Sequence, residues 1–238
     1  MRDDHESARR DFFRNAAVLG CGLVLPSGEA WAKPDKAGEE SEKDEGVTPT
    51  EDLMREHGLL NRVLLIYEEA LRRLPGPKRD MPPEALASAA GIIHHFIEDY
   101  HEKLEEDHLF PRFEKAHKLV DLVKILREQH QAGRRLTAQI EQVATPAAFK
   151  NDLDMLKLRN SLNAFIRMYR PHEAREDTVL FPAVRSIMSA HEYAVLGDQF
   201  EDREHELFGK EGFEGMVAKV AGIEQTLGIY DLAKFTPQ

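Results

Sequence analysis

The chain has 238 residues, 32 Lys and Arg against 43 Asp and Glu for a formal net charge of -11, 42% hydrophobic residues and a single cysteine. That length suits one large domain or two small ones with a real core. The acidic balance argues against nucleic acid or an anionic lipid surface as a partner, because both depend on clustered Lys and Arg. One cysteine excludes a disulfide framework and a thiolate zinc cluster, so any metal would have to be held by carboxylates and by the 11 histidines.

The first segment reads as an export signal. Ser7 to Arg14 is SARRDFFR, followed by the short apolar run AAVLGCGLVL, Pro26 and the small-residue triplet Ala30-Trp31-Ala32. A paired arginine, an apolar run too short to span a bilayer and an A-x-A site are the layout of a cleaved secretory signal. Arg9-Arg10-Asp11-Phe12-Phe13 resembles the twin-arginine type, which exports proteins already folded. The expectation is a signal over residues 1–32, a periplasmic mature protein and no membrane association after cleavage. A lipid anchor through Cys21 is the lesser alternative, because the apolar run continues past it to Leu25. Replacing Arg9-Arg10 by Lys-Lys should leave precursor in the cytoplasm; undiminished delivery of mature protein would point to the general secretory route instead. Residues 33–49 are Lys, Glu, Asp, Gly and Ser with almost nothing apolar, a composition that stays solvated as a disordered linker.

From Thr50 the apolar residues recur at helical spacing. Thr48 to Asp52 offers an N-cap, and Leu53, Leu60, Leu64, Tyr67 and Leu71 form one stripe before Pro75-Gly76-Pro77. A second helix should begin near Pro82-Pro83 and pass through Ile92, Phe96 and Leu104 toward Pro111. A third should cover Lys118 to about Val143. The fourth should start near Ala147 or Phe149 and run through Leu156, Leu162 and Phe165 to the region of Pro182. With no period-2 run, the pattern predicts an all-α, up-down-up-down four-helix bundle over residues 50–190. Residues 191–238 add a C-terminal helical extension that packs on the bundle or on a second copy of the chain as a homo-oligomer.

An internal repeat carries the chemistry. His101-Glu102-Lys103-Leu104-Glu105 is followed by Leu109-Phe110-Pro111, and His172-Glu173-Ala174-Arg175-Glu176 by Leu180-Phe181-Pro182, so both read HE-x-x-E-x-x-x-LFP. Arg55-Glu56-His57 on the preceding helix is matched by Arg127-Glu128-Gln129-His130. The bundle is therefore two similar helix pairs, with four matching histidines around a pseudo-two-fold axis. A histidine and a glutamate four apart lie about 40° apart on one helix face, and the neighbours on that face are apolar. Buried carboxylates beside neutral imidazoles need a cation, and bridging carboxylates completed by histidines are how helix bundles hold di-iron centres. A zinc-peptidase site is excluded, since H-E-x-x-H needs histidines where Glu105 and Glu176 stand.

These residues resemble the hemerythrin-like (HHE cation-binding) domains. The resemblance implies two non-haem iron ions held by His57, His101, Glu105, His130, His172 and Glu176, with the two glutamates as bridges. One position departs from the oxygen carriers, whose third helix has a second histidine four residues on; here it is Arg134. Glu102, directly after His101, is a candidate to fill that place, unless it faces solvent. His94 and His108 fall one layer either side of the centre as outer partners or core residues, while His95, His117, His191 and His205 read as surface residues. Tyr67, Tyr100 and Tyr169 are expected as core aromatics that could also line an access route or bond to the centre. The favoured function is binding of oxygen or nitric oxide as carrier, sensor or scavenger, because no reductase domain, nucleotide site or separate substrate pocket is legible. A redox enzyme acting on peroxide or nitric oxide, and a structural iron module, are the alternatives; no catalytic residue is legible beyond the ligands.

Overall fold

In the computed structural model of the protein, residues 47–75 and 79–237 are described; the expected export signal, Cys21 and most of the charged linker lie outside them. The described residues are helical without a strand. Helix α1 (Pro49–Arg73) opens on a capping box, in which the Thr48 side chain accepts from the Glu51 amide and the Glu51 carboxylate accepts from the Thr48 amide. That arrangement satisfies amides the helix itself leaves unpaired. The α2 rod (residues 83–115) is continuous but not uniform. It passes from Pro83–Ile92 through a π-helical stretch Ile93–His101, the short Glu102–Leu104 and a second π-helical stretch Glu105–Leu109 to Phe110–Lys115.

Helix α3 is Val120–Val143, and α4 (residues 152–184) follows a 3-10 turn at Ala148–Lys150, with Asn151 accepting from the amides of Leu153 and Asp154. A π-helical stretch, Glu176–Leu180, again precedes its last turns, Phe181–Val184. The four rods pack in a ring, α1 on α2 and α4, α3 on α2 and α4, the antiparallel bundle that short connections dictate. Leu53, Leu60, Leu64, Tyr67, Phe96, Phe110, Leu162 and Phe165 are buried in its core. Burying each such side chain contributes roughly 1.5–3 kcal/mol.

Two local expectations change, and a third is made specific. Pro111 and Pro182 do not end their helices. A proline lacks an N–H and its ring clashes with the carbonyl four residues back. The chain relieves this by widening the preceding turn, where Phe110 N–H bonds Glu105 O and Phe181 N–H bonds Glu176 O, five residues back. Leu156 is 52% exposed, and the inward positions of α4 are Met155, Leu158, Leu162 and Phe165. The C-terminal extension is a helical hairpin, α5 (Ala190–Phe208) and α6 (Gly212–Leu227), which packs on α1 and α2 of its own chain. Arg62 of α1 clasps Glu224 of α6 through two bonds of 3.0 and 2.6 Å. Gly212 turns the corner at φ 37°, where a Cβ would overlap the Glu204 carboxylate that accepts from Phe213 N–H at 2.9 Å. No described helix is long and apolar enough to cross a membrane.

Candidate metal centre

The structure brings His57, His101, Glu105, His130, His172 and Glu176 to one level of the bundle, each at most 4% exposed. They form two trios: His57, His101 and Glu105 from the first helix pair, and His130, His172 and Glu176 from the second. Within each trio, one ligand atom per residue lies within 4.8 Å of the others. The carboxylates reach across both. Glu105 has Oε1 3.8 Å from His101 Nε2 and Oε2 3.4 Å from His130 Nε2. Glu176 Oε2 lies 3.1 Å from His172 Nε2 and 3.4 Å from His57 Nε2. Both oxygens of Glu105, both of Glu176 and Nε2 of His130 are buried without a hydrogen-bond partner. Native interiors rarely leave such groups unpaired, and a shared cation is what this donor set fits.

Every imidazole is oriented from outside. His57 Nδ1 meets Asp177 at 2.7 Å, His101 Nδ1 meets Glu56 at 2.6 Å, His130 Nδ1 meets Glu106 at 3.1 Å and His172 Nδ1 meets Gln129 at 2.9 Å. With a cation in place, a proton held on Nδ1 by these acceptors would leave Nε2 as the inward lone pair, the arrangement that fixes metal-binding histidines; without one, His57 Nε2 and His101 Nε2 face each other at 3.1 Å. The pseudo-two-fold extends to these partners, since Glu56 and Gln129 each precede a first-of-pair histidine and Glu106 and Asp177 each follow the glutamate of a trio. Phe110 stacks on His130 and Phe181 on His57, both at 5.5 Å between centroids. The LFP repeat thus has a division of labour: Leu109 and Leu180 fill the core, each phenylalanine braces a ring across the bundle, and each proline widens the turn that starts at the glutamate of a trio.

Electrostatics separates the two glutamates. Burial, then the neighbouring charges of Glu176 and Glu102, pushes Glu105 well above the usual carboxylate range. Burial acts on Glu176 too, but His172 and His57 at its side hold it well below. His57 is raised to about 10, because Asp177 and Glu176 outweigh its burial. Burial depresses His101, reinforced by the charge of His57, and takes His130 down to about 4 in spite of Glu106. Glu56 is raised to about 8 by burial and then by Glu204 of α5.

Glu102 does not face solvent; it is 1% exposed. Its Oε1 accepts from the Tyr169 hydroxyl at 2.7 Å and its Oε2 pairs with Arg134 at 2.8 Å. Arg134 also bonds Glu106 at 2.8 Å, so it ties Glu102 to the carboxylate that orients His130. The equivalent place in the other half is milder, with Asn61 bonding Glu173 at 2.9 Å. His94 turns away from the centre to bond Glu141, and His108 packs on Phe200 of α5. Tyr100 donates to Glu204 at 3.5 Å, while the buried Tyr67 hydroxyl has no hydrogen-bond partner.

Gly133 of α3 makes room for Tyr169, since a Cβ there would overlap the tyrosine hydroxyl. Gly133→Ala should therefore displace the ring from Glu102 and cost about 1–3 kcal/mol. Denaturant unfolding measures this; an unchanged midpoint would mean that the ring has slack.

The residues that orient the rings and Glu204 are not read from the sequence. The repeat was the available signal for Glu56, Gln129, Glu106 and Asp177, which stand beside ligands in both copies.

The family model described as Hemerythrin HHE cation binding domain matches residues 48–157 and again residues 121–231. Its second match begins 73 residues after the first, the same step that separates His57 from His130. Three relatives are 52% identical to the chain over 196 residues, 82% of this chain and 76% of each relative. One is from Mycobacterium bovis and two are from Mycobacterium tuberculosis strains CDC 1551 and H37Rv, and each is named only as an uncharacterized protein. No solved structure matches the chain. Two matches that jointly span most of the sequence, falling on helices that carry two buried His-His-Glu trios, establish that the chain belongs to the hemerythrin HHE cation-binding domain family.

Proposed function

We propose that the chain is a non-haem di-iron binding protein that takes up a small ligand, oxygen or nitric oxide, as a carrier, sensor or scavenger. The observation that supports this is the pair of buried trios sharing two carboxylates, with five inward donor atoms lacking any hydrogen-bond partner. Each ion would take two imidazoles and a share of both glutamates, fewer donors than octahedral coordination needs, which leaves room for a ligand. When bound, an iron pair supplies reversible coordination of small molecules or electrons for their reduction.

The chain's own residues prepare the site. Glu56, Glu106, Gln129 and Asp177 keep the Nδ1 protons outside, Phe110 and Phe181 hold ring planes and exclude water, and near-complete burial restricts access to molecules of a few atoms. Glu102 is assigned here as the anchor of Arg134 and Tyr169. Glu102→Gln should leave iron content and spectrum unchanged, and loss of about one iron would make Glu102 a ligand instead.

Anaerobic loading with ferrous iron, then exposure to air, tests the reading. The expected result is two irons per chain and a near-ultraviolet absorption that fades when oxygen is removed. Absorption that persists until a reductant is added would favour a peroxidase or nitric-oxide-consuming enzyme. Binding of less than one iron would sink both. Periplasmic export is proposed on residues 7–32 alone.

A further inference from the structure

A second group of metal-type donors sits on the outer surface of α2, away from the buried trios. It consists of His94, His95 and Asp99, with Glu141 of α3 beside them. On an ordinary α-helix, consecutive residues point about 100° apart and do not share a partner. Here both histidines fall within the π-helical stretch Ile93–His101, whose wider i→i+5 closure carries Asp99 back under the two of them. Their rings stack at 4.7 Å between centroids, with planes 13° apart, so a turn of one exposed ring about its Cβ–Cγ bond brings both in-plane lone pairs to one point.

The distances are informative. Asp99 Oδ2 lies 3.7 Å from His94 Nε2 and 3.6 Å from His95 Nδ1. Both are too long for a good hydrogen bond. They are close to the separation of two donors that meet on one ion through bonds of about 2.0–2.2 Å. The remaining nitrogen of His94, Nδ1, bonds Glu141 at 3.1 Å, so a carboxylate on the neighbouring helix fixes the tautomer that turns Nε2 toward Asp99. That is the outer support a ligating histidine needs.

We propose that His94 Nε2, His95 Nδ1 and Asp99 Oδ2 form a third metal site, which binds one divalent first-row transition ion. Two imidazoles and one carboxylate suit zinc, copper or ferrous iron and exclude calcium and magnesium, which prefer all-oxygen sites. The side chains of His95 and Asp99 are more than half exposed, so water completes the coordination and the ion exchanges freely with solvent. None of its donors belongs to the buried centre. His94 precedes His101 by seven residues on α2 and turns to Glu141 instead of the centre, so the two places share no donor.

The test uses full-length protein as purified, titrated separately with Zn2+ and Cu2+, with bound metal counted by elemental analysis and the copper environment read by electron paramagnetic resonance. The wild type should take up one ion more than His95→Ala, and its copper signal should show coupling to two nitrogens. His95→Ala and Asp99→Asn should each weaken that uptake at least ~10-fold, and Glu141→Gln by a smaller factor. His117→Ala, which alters another surface histidine, should leave it unchanged. Because the altered side chains are on the surface, thermal unfolding of the variants should match wild type, which separates loss of a site from loss of the fold. Equal uptake and equal affinity in wild type, His95→Ala and Asp99→Asn would overturn the proposal, as would a copper signal coupled to a single nitrogen.

Discussion

Glu105→Ala should lower the iron content from about two per chain to below one, whereas His101→Ala should retain about one. The contrast follows from geometry: His101 belongs to one trio, while Glu105 approaches a histidine of each at 3.8 and 3.4 Å. Removing a donor shared by two ions weakens both sites. His172→Ala should behave like His101→Ala, because the pseudo-two-fold makes them equivalent. Metal analysis after anaerobic ferrous loading, on variants whose helical content is intact, decides the matter. Full iron in both histidine variants would remove the centre from this cluster, and equal losses in Glu105→Ala and His101→Ala would show that Glu105 does not bridge.

The second large effect concerns stability and changes sign with metal. Ligand that binds only the folded state adds about 4 kcal/mol at a thousandfold excess over its dissociation constant, so stripping iron should lower the melting temperature on the order of 10 °C for a domain of this size. In the stripped protein, Glu105 is a buried carboxylate without a hydrogen-bond partner. Burial holds it well above the ordinary range, so at neutral pH the fold must carry either a proton there or an unpaired charge. Glu105→Gln abolishes that demand and should raise the melting temperature of the metal-free protein while lowering that of the iron-loaded one. Calorimetry with and without chelator measures both signs. A variant less stable than wild type in both states would mean that the glutamate serves packing and not the metal.

Much of the fold is legible because helical stripes are a local signal. Leu53 through Tyr67 mark the inward face of α1, and Thr48 with Glu51 marks its start. The miss at Leu156 is also local in origin: in a helix with Met155, Leu156 and Leu158 so close together, spacing alone does not say which apolar residue turns inward. The prolines mislead because a sequence shows the missing N–H but not the widened turn that absorbs it. At the centre, the six convergent residues stand out because they occur twice at matching intervals. Glu102 is harder, since its inward position depends on Arg134 and Tyr169, which arrive from other helices. The acceptors around the rings look like ordinary solvated carboxylates until the bundle closes. The seven-residue spacing places His94 one layer from the centre on the face of His101, whereas within the π-helical stretch it turns out to Glu141.

Each helix pair owns its trio but borrows the supports for one of its rings. His57 is held by Asp177 and faced by Phe181, and His130 is held by Glu106 and faced by Phe110, in each case from the opposite pair. Residues 57 and 177 are 120 positions apart yet meet at 2.7 Å. Divergence of the duplicated halves is therefore yoked: a change at position 177 orphans a ring encoded in the other half, and a lineage that keeps the centre must change positions 57 and 177, or 106 and 130, together. The hereditary unit of this site is the pair of halves, and sequence drift should be slowest where one half serves the other.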